Sequence, residues 1–435
     1  MIKGALFMKK YTRESGVAKA GLLRYCAKIC KGLGRVEEKL VTSMMYGIAA
    51  GNSCRLTEIG RALEEEIALK KTVNRLSLGL KKFRGQTALR DNYWEGVRKY
   101  VDEKTVFPID ESDVTKPCSR AMEGLHQVHD GDTGETVPGY MTLEIAALTH
   151  KTKTPLPIYE RVYSAAEEGF VSQPEEVLNG LRFLSQRFGH GGFRVLDRGY
   201  DANVYMRYFI KAKEKFIIRL RKNRIVQYNG KSVNIEDLAN RYKGKYAFKC
   251  ILHNETIHLK VAGIPINIYE FGEYPLCLVC VYGFGKKPML LLTNCRGEDL
   301  CVAIAKMYLL RWKIEEHFRF KKQQYAFEDF RVRSLNAVRS LHLLVTLLAG
   351  YMALLTQEPN AVISCVLRQA ARPIPRSKKR KPKRFFHYDL ASGFAMLLRK
   401  TSANLKAHFP PVRFRPLVLQ LSFFSKRQWA DLLSA

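Results

Sequence analysis

From Thr105 onward the chain repeats one arrangement, a short apolar run that ends on an acidic residue or a glycine. TVFPIDESD, YMTLEIAAL, LPIYERVYS and FRVLDRGYD all show it, and a helical stretch from Pro174 to Phe188 separates the last two. Strand-length runs interleaved with helix predict an α/β domain. After KFIIRLR, the region from about Lys222 to Thr293 reads as strand nearly throughout. There FKCILH, TIHLKVAG, PINIYEF, CLVCVYGF and MLLLTN are set apart by Gly, Asn or Pro, which predicts a β-rich insertion. Helix is expected again from Glu298 through Leu355, with a break near Gln324. The run LHLLVTLLAGYMALL from Leu341 falls short of the ~20 residues that span a bilayer, so it is read as a core helix and no membrane partner is expected. MIKGALFMKKYTRE has too short an apolar stretch for a signal peptide.

The first hundred residues lack strand alternation and read as helical. Ile59, Leu63 and Ile67 share one face, and Val73, Leu76 and Leu80 share the next. The second of these short helices opens with Lys70, Lys71, Asn74 and Arg75 on its polar side. A helix-turn-helix that docks on DNA has this pattern, and so does a small helical bundle with a solvated basic face. Lys plus Arg number 73 against 41 Asp plus Glu, a net charge of +32 in 435 residues, which calls for a polyanionic partner. The excess is spread along the chain and includes a Pro-interrupted run, Arg372 to Arg384, that fits either a solvated linker or a phosphate contact. Ten scattered cysteines read as reduced thiols of a cytoplasmic protein. Cys277 and Cys280 lie three apart on a strand and face opposite sides, and Cys26 and Cys30 lack a second ligand pair, so all four are expected to be structural.

YLLRWKIEEHFRFKK carries the densest chemistry. Placed on one helix, Tyr308, Arg311, Glu315 and Lys322 fall within a 60° arc. Apolar neighbours, Trp312 among them, bury the helix, and charge on a buried helix must be paired or used. The bland account is an i,i+4 ion pair between Arg311 and Glu315, which contributes ~0.2–0.5 kcal/mol at best. Upstream, Asp110 closes VFPID and Asp197 closes FRVLD. Both are expected at strand ends, where open α/β sheets assemble their sites. Asp110, Asp197 and Glu315 together suit Mg²⁺, a hard cation that takes oxygen ligands and shares them with phosphates. Two such ions clamp the attacking and leaving oxygens of a phosphoryl displacement. Asp113 competes with Asp110 for the first role, and Asp201 reads as a helix N-cap.

These positions resemble the bacterial insertion-sequence transposases of the DDE class, in the branch marked by a Y-(2)-R-(3)-E-(6)-K signature. Tyr308, Arg311, Glu315 and Lys322 match that spacing, and IDESD and LDRGY are similar to the segments around the first two catalytic acids. The resemblance runs from about Thr57 to Leu355. It implies a ribonuclease-H-like core interrupted by the β-rich insertion, with helical N-terminal and C-terminal regions. The regions would be 1–104 (helical, DNA-binding), 105–221 and 294–356 (the two parts of the core), 222–293 (the insertion) and 357–435 (basic, for DNA contact or dimerisation). It further implies that Asp110, Asp197 and Glu315 bind two Mg²⁺ ions, with Mn²⁺ able to substitute. Activated water would cut the ends of the element and the freed 3′-hydroxyl would attack target DNA. Tyr308, Arg311 and Lys322 would contact phosphates, with Lys70, Lys71, Asn74 and Arg75 as further DNA contacts. The working form would be a homodimer pairing two DNA ends. A catalytically silent DNA-binding protein built on the same scaffold, and a structure-selective nuclease of the same fold, are the alternatives.

Overall fold

A computed structural model describes residues 2–149, 151–152, 154–252, 255–297, 300–358, 360–370 and 386–409. The run Arg372 to Arg384 lies outside the described residues. The chain begins with five helices, α1 (Ile2–Ile29), α2 (Arg35–Gly51), α3 (Leu56–Ala62), α4 (Leu69–Lys82) and α5 (Gln86–Val97). Next come β1 (Val106–Thr115), β2 (His126–His129), β3 (Thr136–Leu148), β4 (Pro155–Tyr163), α6 (Gln173–Phe188), β5 (Phe193–Leu196), α7 (Asn203–Ala212) and β6 (Lys215–Arg219). The strand-rich region holds β7 (Ile225–Tyr228), β8 (Lys231–Asn234), α8 (Ile235–Asn240), β9 (Tyr246–Leu252), β10 (Glu255–Ile266), β11 (Leu276–Tyr282) and β12 (Met289–Thr293). Helices α9 (Leu300–Leu309), α10 (Trp312–Gln324), α11 (Leu335–Gln357), α12 (Ala361–Ala370) and α13 (Phe386–Leu398) follow. Residues to Ala403 form one compact unit; a second begins at Asn404 and contains α14 (Leu405–His408).

One sheet runs β2-β3-β1-β5-β6-β12-β11-β10-β9, with β4 on the far side of β3. Among the described strands only β1, β5 and β6 are mutually parallel, and the crossover from β5 to β6 is α7. Of the strands after residue 222, β7 and β8 pair with each other as a separate two-stranded sheet, whereas β12 pairs antiparallel with β6, and β11, β10 and β9 continue from it, so most of the strand-rich region widens the large sheet. TIHLKVAG and the start of PINIYEF, expected as two strands, form the single strand β10, because Pro265 keeps its place opposite Cys277 without breaking the ladder.

Local chemistry accounts for the best-defined ends. At the start of α6 the Ser172 side chain accepts from Glu175 N, Glu175 and Glu176 sit in the first turn, and Gly189 closes the helix at φ 62°. Ser334 caps α11 in the same way by accepting from Ala337 N. Helix α11 is long and apolar enough to cross a membrane, yet nearly all of it is buried within this fold, as a core helix. It packs on β4 from one side and on α2, α4 and α5 from the other. The first helices are fastened there by polar contacts too: Asn336 Nδ2 donates to the carbonyls of Leu80, Lys81 and Phe83. Ile67 does not join Ile59 and Leu63 in the core. Helix α3 ends at Ala62, Glu64 turns into the left-handed region at φ 49°, and Ile67 is left 46% exposed.

Candidate active site

Strands β1 and β5 pair Val106 with Phe193, Phe107 with Arg194 and Pro108 with Val195, a separation of 87 positions at each rung. The same separation continued two rungs sets Asp197 beside Asp110. Strand β5 stops at Leu196, so Asp197 stands just past its end, where its Oδ1 accepts from Gly199 N at 2.6 Å. Asp110 does not end a strand, as the sequence suggested. β1 continues five residues further because its antiparallel neighbour β3 supports it as far as Thr115, while its parallel neighbour has stopped. Asp110 therefore loses its parallel neighbour because β5 ends there and not because β1 does.

The next parallel strand extends the row. Leu196 pairs with Ile218 in β6, which brings Arg219 level with Asp197. Arg219 closes KFIIR as the two acids close their runs, and that parallel was the signal available in the sequence. It lies beside the Tyr308 hydroxyl. Burial pushes that phenol up, against the pull of Arg311 and Arg219.

Helix α10 packs on β1 and delivers the remaining groups. Arg311 Nη1 donates to Asp110 Oδ2 at 2.8 Å and Nη2 to Glu315 Oε1 at 2.6 Å, so one guanidinium joins the two carboxylates. Its side chain is 9% exposed, against 16% for Asp110 and 30% for Glu315. Burial pushes the Asp110 carboxyl up to about 7, opposed by Arg311 and reinforced by the carboxylates of Asp197 and Glu315. A group destabilised by burial and by like charges is a group that a cation would relieve. Tyr308 and Lys322 do not share one continuous helix. The chain turns at Leu310 and Arg311 through three-residue hydrogen bonds, Leu310 N to Met307 O and Arg311 N to Tyr308 O, which separate α9 from α10. Trp312, expected in the core, opens α10 and is 49% exposed; Ile314, Phe318 and Phe320 bury that helix instead.

Lys322 belongs to a neighbouring cluster. Its Nζ lies 3.0 Å from Glu328 Oε1 and 3.5 Å from Asp113 Oδ2, and these acids hold its charge against the burial that opposes it. That pairing leaves Asp110, not Asp113, with the acids. Asp201 is not the N-cap of α7, a place taken by Ala202. It is buried, accepting from Arg221 N and from Arg224 Nε, each at 2.6 Å. The adjacent Glu111 is also engaged, receiving the hydroxyls of Tyr163 and Tyr200 and the amide of Gln173.

Behind the acids lies a buried network that the sequence did not disclose. Glu144, directly opposite Asp110 in the β1–β3 register, pairs with Lys321 and lies 2.9 Å from His342 Nε2 and 3.0 Å from His317 Nε2. His342 Nδ1 is 2.8 Å from Glu160 Oε2, and Arg90 Nε donates to Glu160 at 2.8 Å. Lys321 also lies 3.3 Å from Thr346 Oγ1. These contacts tie α10 and α11 to β3 and β4, and through α10 they fix Glu315 over Asp110.

On the first helices, Lys70, Lys71 and Asn74 are exposed along α4. Arg75 is engaged instead with Glu65 Oε1 at 2.6 Å, and Thr72 donates to the same carboxylate. Cys277, Cys280, Cys26 and Cys30 are all buried.

Among the described residues no three His, Cys, Asp or Glu side chains converge as a ready metal site. The reason is visible in the geometry, since the Arg311 guanidinium stands between Asp110 and Glu315 as the cation of the cluster. In donor chemistry the set fits a hard divalent ion: three carboxylates, all oxygen, with a cation already drawn between two of them.

A protein family described as "Transposase DDE domain" matches residues 103–349, more than half of the chain. Among curated proteins, none matches. A cryo-EM structure of the piggyBac transposase synaptic complex with hairpin DNA is similar at a TM-score of 0.44 and 12% identity, over 93% of this chain and 82% of that one.

Proposed function

The chain belongs to the transposase DDE-domain family, and from that premise we propose that it is the transposase of a bacterial insertion sequence. In this reading it binds the terminal inverted repeats of its element, cuts the DNA there and joins the freed ends to a target. The observation that carries the reading is the Arg311 guanidinium joining Asp110 to Glu315, with Asp197 beside Asp110 at the end of the parallel strands. The core would be ribonuclease-H-like, with the strands after residue 222 as its insertion.

Asp110, Asp197 and Glu315 would hold two Mg²⁺ ions, or Mn²⁺ in their place. Bound there, the metal supplies Lewis acidity and lowers the pKa of a water that attacks the phosphodiester. The remaining roles belong to the chain itself. Arg311, released from its two carboxylates, presents a planar fork that fits a phosphate in two hydrogen bonds. Arg219 and the Tyr308 hydroxyl beside it offer further donors to the same backbone. Lys322 contributes a point charge one cluster away, and Lys70, Lys71 and Asn74 form the exposed edge that would meet the repeat. A homodimer pairing two ends, acting in the cytoplasm on nucleoid DNA, completes the proposal.

The test is a labelled duplex bearing the element's terminal repeat, incubated with the protein and Mg²⁺ beside a duplex with the repeat scrambled. Strand cutting at the repeat boundary and not in the scrambled duplex is expected. Binding without cutting would favour a silent DNA-binding protein, and cutting that ignores the repeat would favour a structure-selective nuclease.

A further inference from the structure

Beyond the acids, β1 leads into a cleft of about 530 Å³ that the proposed chemistry does not use. One wall is the segment after β1, with Lys116 and Arg120; the opposite wall follows α10, with Arg331 and Arg333; Arg55, at the start of α3, closes the third side. The Lys116 ammonium donates to the carbonyls of Glu328 and Phe330 and lies 3.6 Å from the centre of the Phe330 ring, so it fastens the two main walls together. The only carboxylates lining the cleft among the described residues, Glu328 and Asp329, are already paired. Glu328 lies 3.0 Å from Lys322 and Asp329 lies 2.8 Å from Arg55. Arg120, Arg331 and Arg333 are exposed and have no ion pair among the described residues. Three guanidinium groups around one opening are poorly explained as scattered solvated charge.

The geometry points to a second phosphate-binding site in this cleft, one that grips the backbone of the terminal DNA between the cut and the segment met by α4. The inference rests on the reading of the chain as a DNA-cutting transposase. Its position gives it a register. Lys116 follows Asp110 by six residues, about 20 Å along an extended strand. The phosphates of one DNA strand recur every ~3.4 Å along the helix axis, so the grip falls about six nucleotides from the cut. The guanidinium fork suits phosphate oxygens and carries no base preference, so the site positions DNA without reading its sequence.

The experiment compares the full chain with the R120Q/R331Q/R333Q variant for equilibrium binding to the repeat duplex and to a scrambled duplex over a range of KCl. Each phosphate contact adds about −0.9 to the slope of log K against log salt. The variant is expected to show a slope shallower by about 2 to 3 and an affinity roughly 100-fold lower at 0.1 M salt, by the same factor on both duplexes. A variant with wild-type slope overturns the cleft while leaving the transposase reading intact. An equal loss in the charge-matched R241Q/K243Q/K249Q control also overturns it, because net charge alone would then explain the effect. Wild-type protein that binds neither duplex overturns both readings. A second readout needs no mutation: Cys118 lines the cleft and is exposed, whereas every other cysteine is buried or half-buried. Bound duplex is expected to slow maleimide alkylation of Cys118, followed by peptide mapping with Cys250 and Cys295 as references, and an unchanged rate overturns the site.

Discussion

Replacing Glu144 by Gln breaks the buried network at its centre and leaves the Lys321 ammonium without its counter-charge. Both side chains are almost fully enclosed, at 1% and 3% exposure. Removing one partner of such a pair costs about 3–5 kcal/mol, because the remaining charge stays buried. At about 2.1 cal/mol/K of unfolding entropy per residue, the 435 residues give about 0.9 kcal/mol/K. The single change should therefore lower Tm by about 3–6 °C. Lys321→Met should do the same from the other side, since it strands the carboxylate. The E144Q/K321M double variant removes both charges and keeps an amide acceptor near His342 and His317, so its loss should fall short of the summed single losses by about 2 kcal/mol. Calorimetric melts of the four proteins measure this cycle. Single variants that melt within 1 °C of wild type, or losses that simply add, would refute the network as the element holding α10 on the sheet.

Acid should act on the same residues. Burial tends to raise the Glu144 and Glu160 carboxyls, but Lys321 with the two histidines, and Arg90 with His342, more than cancel it and hold both below the ordinary glutamate value of 4.5. With folded values depressed, their contribution is complete above about pH 4.5 and is lost as pH falls through the folded values. Urea midpoints should accordingly stay level near neutrality and drop below pH 4.5, with a smaller drop in E144Q; a midpoint unchanged down to pH 3.5 would contradict this. A Cβ added at Gly47 would clash with Ile59 Cγ2 and lie 3.2 Å from its Cα. Gly47→Val should thus push α3 off α2 and cost about 1–3 kcal/mol in a urea melt, and an unaltered midpoint would sink that reading. Trp312→Ala, by contrast, should leave stability within about 0.5 kcal/mol, as expected at an exposed position.

Much of the scaffold was legible because it obeys local rules. The apolar runs ending in acids are strands β1, β3, β4 and β5 or their extensions, α6 carries its caps in sequence, and the run from Leu341 is the buried α11. The 87-residue spacing from Asp110 to Asp197 proved to be the β1–β5 register itself. What escaped was set by distant partners. The length of β1 past Asp110 depends on β3, about thirty residues on. The break at Leu310 and Arg311 leaves helical torsions at Arg311, φ −51° and ψ −38°, and involves no Gly or Pro, so no local signal marks it. Glu144 sits inside an apolar run whose pattern says only strand, and its partners lie on helices up to 198 positions away. Arg219 closes its apolar run as the acids close theirs, but that position points to the site only once β5 and β6 pair in parallel and bring it level with Asp197.

If Asp110, Asp197 and Glu315 act together on a phosphodiester, the loss of any one of them should stop the cutting. Single-turnover cleavage of a repeat-bearing duplex in Mg²⁺, run for Asp110→Asn, Asp197→Asn and Glu315→Gln beside wild type and with DNA affinity measured in parallel, tests it most directly. Each variant is expected to lose at least roughly 1000-fold in rate, about 4 kcal/mol of barrier, while affinity for the duplex changes little. A variant that cuts at the wild-type rate would remove its residue from the site, and wild-type rates in all three would contradict the account.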